Sequence, residues 1–124
     1  MCAAKRNQAT TLGHPGVAVS FYYKGSVETG VVIEYNYRDV VVDPAFLQRI
    51  LSTFHGRRVA GGFLMHKPPP DGFGAWIRDN SRYNSENLTP RHASRIAGIL
   101  VAENYATSEI EHNAVFLNFN SQPR

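Results

Sequence analysis

Arg91, Arg95, Gly98 and Ala102 are spaced to form one stripe of a helix, opposite its apolar side. Two arginines near a helix N-terminus add to the positive end of the helix dipole, which disfavours the helix. That arrangement makes sense where an anion is bound, because helix N-termini and guanidinium groups both attract phosphate. Gly98 and Ala102 would let a partner approach the backbone. The same spacing also describes two solvated arginines and two small residues beneath a neighbouring element, since charge on a solvent face is the default.

The arginines belong to a wider pattern. Residues 49–95 carry eight basic side chains (Arg49, Arg57, Arg58, Lys67, Arg78, Arg82, Arg91, Arg95) against Asp71, Asp79 and Glu86, a net +5. Residues 1–48 balance to zero and the remainder sums to −2, so the charge of +3 originates in the middle of the chain. Phe63, Phe73, Trp76 and Tyr83 are interleaved with it. Guanidinium forks beside aromatic rings are the materials of single-stranded nucleic-acid grooves. This reading makes the chain a non-enzymatic binding module for nucleic acid or an acidic protein surface. Arg91, Arg95, Arg57, Arg58, Arg78 and Arg82 are its contact residues. Reversing Arg91 and Arg95 to glutamate should then abolish binding and leave folding intact.

A second reading is a small-molecule-binding protein or small enzyme. Tyr22, Tyr35, Phe63 and Trp76 would line a pocket between sheet and helices, with His66 as its polar group. His66 with Asp71, and His112 beside Glu109 and Glu111, are further acid–base pairings open to folding. No two of the five histidines have the spacing of a helical metal motif, and there is no cysteine cluster. Gly72-Phe73-Gly74 is a lone GxG, and phosphate-loop, dinucleotide-turn and nucleophile-elbow motifs are absent. No cofactor is implied.

The elements that must position these groups follow from the patterning. Residues 1–15 read as an irregular lead-in. Val17, Val19, Phe21 and Tyr23 alternate as a strand, Lys24-Gly25-Ser26 turns, and a second strand runs from Val27 to about Tyr35 with Gly30 as a bulge or close approach. Val40–Val42 is a third strand. Asp43-Pro44 and Thr89-Pro90 each start a helix, with an oxygen side chain to cap it and proline where its missing N–H costs nothing. Phe46, Leu47, Ile50, Leu51 and Phe54 make the first apolar stripe; Ala93, Ile96, Ala97, Leu100 and Val101 make the last. A short helix capped by Asp71 carries Phe73, Trp76 and Ile77. Arg57–His66 is extended, and Lys67-Pro68-Pro69-Pro70 is a stiff connector. Glu109–Phe119 reads as a strand apolar on both faces, central in a sheet or covered by a partner.

The expected fold is α+β: a mixed, mainly antiparallel sheet of four or five strands, with two or three helices on one face. It occupies residues 16–120 as a single domain, ahead of a short tail at 121–124. The apolar final strand and the Gly98/Ala102 face are two surfaces suited to a homodimer. Lone Cys2 excludes an internal disulfide and fits a reducing, cytoplasmic compartment. The polar run Asn7–Thr11 after Lys5-Arg6 lacks a signal's apolar segment. No stretch is long and apolar enough for a membrane span.

Overall fold

The structure, a computed structural model, describes residues 6–11, 19–61, 70–111 and 114–120. It is α+β, and every described strand pairing is antiparallel. The strands divide between two sheets instead of sharing one. A meander of β1 (Arg6–Thr10), β2 (Ser20–Ser26), β3 (Gly30–Ile33) and β4 (Val40–Val42) forms the first, in that order. The second has β5 (Arg58–Ala60) and β6 (Ala106–Glu111) flanking β7 (Ala114–Phe119). Three helices, α1 (Pro44–Phe54), α2 (Phe73–Asn80) and α3 (Pro90–Ala102), complete the fold. One continuous set of buried side chains draws on both sheets and all three helices. No helix among the described residues is long and apolar enough to cross a membrane.

β1 is a strand where an irregular lead-in was expected. Its inward positions are Asn7 and Ala9, and only Ala9 is apolar, so the sequence lacks the apolar alternation that marks a half-buried strand. It is held by pairing with β2 and by packing on α3. The first hairpin also turns later than expected. β2 continues through Ser26, and the turn is Val27–Thr29. The cause is tertiary: Val27 is wholly buried, and its N–H donates to Glu103 Oε1 at 3.0 Å. The other oxygen of Glu103 accepts from the Tyr23 hydroxyl at 2.7 Å, so the end of α3 fastens the hairpin. Burial and then the Glu103 carboxylate raise the Tyr23 pKa. Gly30 opens β3 at φ +92°, where a Cβ would meet Pro44 of α1. The position is thus a close approach, as expected.

Both proline-started helices begin where the sequence places them, and α1 buries Phe46, Leu47, Ile50 and Phe54. Their capping chemistry differs. The Asp43 carboxylate makes no cap bond in α1; it accepts from the N–H and hydroxyl of Ser85. At α3, Nδ1 of His92 accepts the Thr89 N–H at 2.9 Å, the reach-back half of a capping box. The cap of α2 is Gly72, not Asp71, because the Gly74 N–H already has the Gly61 carbonyl at 2.8 Å.

β4 ends its sheet, and its outer edge is not bare. The Val41 N–H donates to Glu86 Oε2 at 2.6 Å, and the Val41 carbonyl accepts from Asn84 Nδ2 at 2.9 Å. Asn84 Oδ1 accepts the Asp43 N–H at 2.8 Å. Side chains of the loop before α3 thus supply what a further strand would have supplied. β7 is central in its sheet, with Leu117 and Phe119 buried.

Candidate arginine face

The six candidate arginines do not form one surface. Arg58 is neutralised: Nε lies 2.7 Å from Glu109 Oε1 and Nη2 lies 2.9 Å from Glu111 Oε2. Its guanidinium also covers the Phe116 ring, 3.9 Å from the centroid. An Asn118 hydrogen bond, followed by that of Arg58, holds the Glu109 carboxyl below its usual range. Arg95 is half-buried, donates to the Glu34 carbonyl at 2.9 Å, and stacks 4.1 Å from the Tyr35 centroid. Its reversal to glutamate would break that bond and bury a second sign of charge, so it is not neutral for folding. Arg91 is exposed at the start of α3. Gly98 is buried beneath Thr10 of β1, and Ala102 at the far end of that stripe is exposed like Arg91. The close approach expected at Gly98 is therefore made within the chain. The final strand likewise has a neighbour on each side. Within the chain, Gly98 is covered by β1 and both edges of β7 are paired, while Ala102 stays exposed.

The remaining three arginines gather around α1 and α2, joined by Arg49. α1 buries one side and leaves Arg49 and Thr53 four residues apart on another, while Arg57 follows the helix, past Gly56 at φ +67°. Thr53 Oγ1 donates to the Arg49 carbonyl, and Arg57 Nη1 donates to the Thr53 carbonyl at 3.3 Å. A 3-10 turn, Ser81–Tyr83, follows α2 directly and brings up Tyr83, which is 44% exposed. The Arg49 guanidinium lies 3.8 Å from the Tyr83 centroid and that of Arg82 lies 4.7 Å from it. Arg82 also donates to the Tyr83 hydroxyl at 3.2 Å and to the Asp79 carbonyl at 3.0 Å. The Arg82 hydrogen bond, then the charges of Arg82 and Arg49, lower the Tyr83 pKa. Arg78 pairs with Asp79 at 2.9 Å. Arg49, Arg57 and Arg82 have no carboxylate partner among the described residues.

The described residues of the expected aromatic pocket do not line one cavity. Tyr22 lies on the sheet surface under Arg6, Tyr35 packs edge-on against His92, and Trp76 packs against Phe46 and Phe54. Phe63 and His66 lie outside the described residues, as do Cys2, His14 and His112. Among the described residues no group of His, Cys, Asp and Glu side chains is arranged to hold a metal ion.

Tyr35 and His92 form a buried polar pair with a structural task. Burial pushes the Tyr35 phenol up to about 12, and its hydroxyl has no partner among the described residues. Burial, then Arg38 and Arg95, lower the His92 pKa. That keeps Nδ1 free to accept the Thr89 N–H. Above the ordinary imidazole value of 6.5 both the folded and unfolded chain are neutral at this position. As pH falls below it the unfolded chain takes the proton first, so stability is lost until the pH passes the depressed folded value. Glutamine at 92 keeps an acceptor at that capping position and does not titrate. The melting temperature of the wild type is expected to fall more steeply than that of His92→Gln between pH 7 and pH 5, measured by circular dichroism. Parallel pH profiles would remove His92 from the acid sensitivity.

Arg49 and Tyr83 join the candidate face without having been among the expected contact residues. Arg49 sits opposite the apolar stripe of α1, a signal visible in hindsight only beside Thr53 and Arg57. Compared with family models, curated proteins and solved structures, the chain matches none.

Proposed function

We propose that the chain is a binding module for a phosphate-rich partner, nucleic acid, and that Arg49, Arg57, Arg82 and Tyr83 make the contact. The observation that carries this reading is the pair of guanidinium groups held on one exposed tyrosine ring without a carboxylate to neutralise them. A guanidinium fixed on a ring has lost much of its side-chain freedom before a phosphate arrives. Planar guanidinium forks suit phosphate oxygens. Elsewhere Arg6, Arg38 and Arg58 are paired with carboxylates, which leaves fewer free guanidinium groups to compete with this face.

The test is a low-salt mobility shift with a single-stranded oligonucleotide. Arg49→Glu with Arg82→Glu should weaken binding by about tenfold or more and flatten the salt dependence, because two phosphate contacts are lost. The exposed Arg91→Glu, beyond this face, should retain most of the affinity. Equal binding by the double variant and the wild type would refute the assignment of this face.

A further inference from the structure

A cavity of about 240 Å³ opens beside the same arginines, between α1 and α2. Thr53, Arg57, Asp71, Trp76, Asp79 and Asn80 are among its lining residues. Thr53 sits on α1 between Arg49 and Arg57, and Arg82 is bonded to the Asp79 carbonyl. The cavity and the cationic face are therefore parts of one surface.

The polar groups of the cavity are mostly acceptors. Asn80 spends an amide proton on the Trp76 carbonyl at 2.9 Å, which leaves its Oδ1 as an acceptor. Asp71 caps no helix, since Gly72 holds that position. Asp79 shares one oxygen with Arg78 Nε and has the other available. Two carboxylates make the interior hostile to a phosphate, whereas Arg57 in the lining and Arg82, bonded to the Asp79 carbonyl, favour one at the rim. A strand lying across this surface would keep its phosphates on the rim and turn a base inward. The volume is too small for a base pair, and Trp76 supplies an aromatic wall.

We infer that this cavity receives one unstacked guanine of a single-stranded nucleic acid. Guanine alone among the common bases presents two adjacent N–H donors, N1–H and the 2-amino group, on its Watson–Crick edge. A carboxylate accepts both at once, and recognition of single strands commonly uses this edge. Adenine and cytosine place an acceptor beside their amino group, and thymine flanks its one N–H with carbonyls. Each of them would set an acceptor against the carboxylates. This inference rests on the nucleic-acid reading of the arginine face and adds a base preference to it.

The experiment compares three oligothymidylates by fluorescence anisotropy: one unmodified, one with a single central guanine and one with a single central adenine. The guanine strand is expected to bind about fivefold or more tighter than either of the others, the discrimination of one good bidentate base contact. Asp71→Ala should bring the guanine-to-thymine affinity ratio to about one. Wild-type binding that ignores the substituted base would overturn the inference and leave the proposed function standing. An adenine strand as tight as the guanine strand would replace edge reading with purine stacking and overturn it as well. A guanine preference that survives both Asp71→Ala and Asp79→Ala would place the contact elsewhere. No binding to any strand would overturn this inference and the proposed function together.

Discussion

Asn84→Ala is expected to lower the unfolding free energy by about 3 kcal/mol, although the residue stands in a loop and touches no proposed ligand. Its amide group makes three bonds to backbone: Nδ2 to the Val41 and Glu86 carbonyls, both at 2.9 Å, and Oδ1 from the Asp43 N–H at 2.8 Å. Asn84 is only 8% exposed, so water cannot simply replace it. Alanine would leave these groups short of partners where β4 ends and α1 begins. Each unsatisfied buried group costs about 1–3 kcal/mol, partly recovered as the loop relaxes. Urea unfolding should show a lower midpoint at unchanged slope. Asp serves as a second variant: it keeps the acceptor for Asp43 N–H but sets a carboxylate oxygen against the Val41 and Glu86 carbonyls, so it should be at least as destabilising as alanine. A change below about 1 kcal/mol for alanine would mean that the loop does not complete this sheet edge.

The contrast between these bonds and the helix starts shows what was legible. Asp43-Pro44 and Thr89-Pro90 announce helices through local steric and capping chemistry, and both helices begin there. The α+β class followed from the same local patterns, because a period of two and a period near four can be read without knowing the fold. Partners distant in sequence were not legible. Asp43 bonds to Ser85 and not to its own helix, and Val27 is drawn inward by Glu103 of α3, which moves a turn that Lys24-Gly25-Ser26 had advertised. The division into two sheets has the same origin, since no local pattern says that β4 and β5 do not pair.

The candidate site was legible to a similar depth. The excess of arginine in residues 49–95 was visible, but which arginines remain unpaired depends on carboxylates brought in from elsewhere. Glu109 and Glu111 arrive on β6 and neutralise Arg58. Glu34 turns its carbonyl to Arg95 and its carboxylate to Arg6. Among the described residues, Arg49, Arg57 and Arg82 are left unneutralised near α1 and α2, with Arg91 apart from them on α3, a subset defined by the fold and not by spacing.

Gly98→Ala is expected to destabilise the protein by about 2 kcal/mol, against the sign that helix propensity alone predicts. In an open helix interior alanine is favoured over glycine by about 1 kcal/mol. Here the added methyl would overlap the Thr10 carbonyl oxygen and crowd Phe21, both of which lie against the Gly98 Cα. The Thr10 oxygen belongs to backbone, so it cannot rotate away as a side chain would. β1 must lift from α3 or α3 must shift, and β1 is the weaker element because Ala9 is its one buried residue. The Thr11 N–H donates to the Val19 carbonyl at 2.9 Å just beyond β1, and its hydrogen-exchange protection reports whether the strand remains seated. Loss of that protection with the Asn84 region unchanged is the expected pattern. Greater stability for Gly98→Ala would show that β1 does not rest on α3, and would return the Gly98/Ala102 stripe to the surface as a site for a partner.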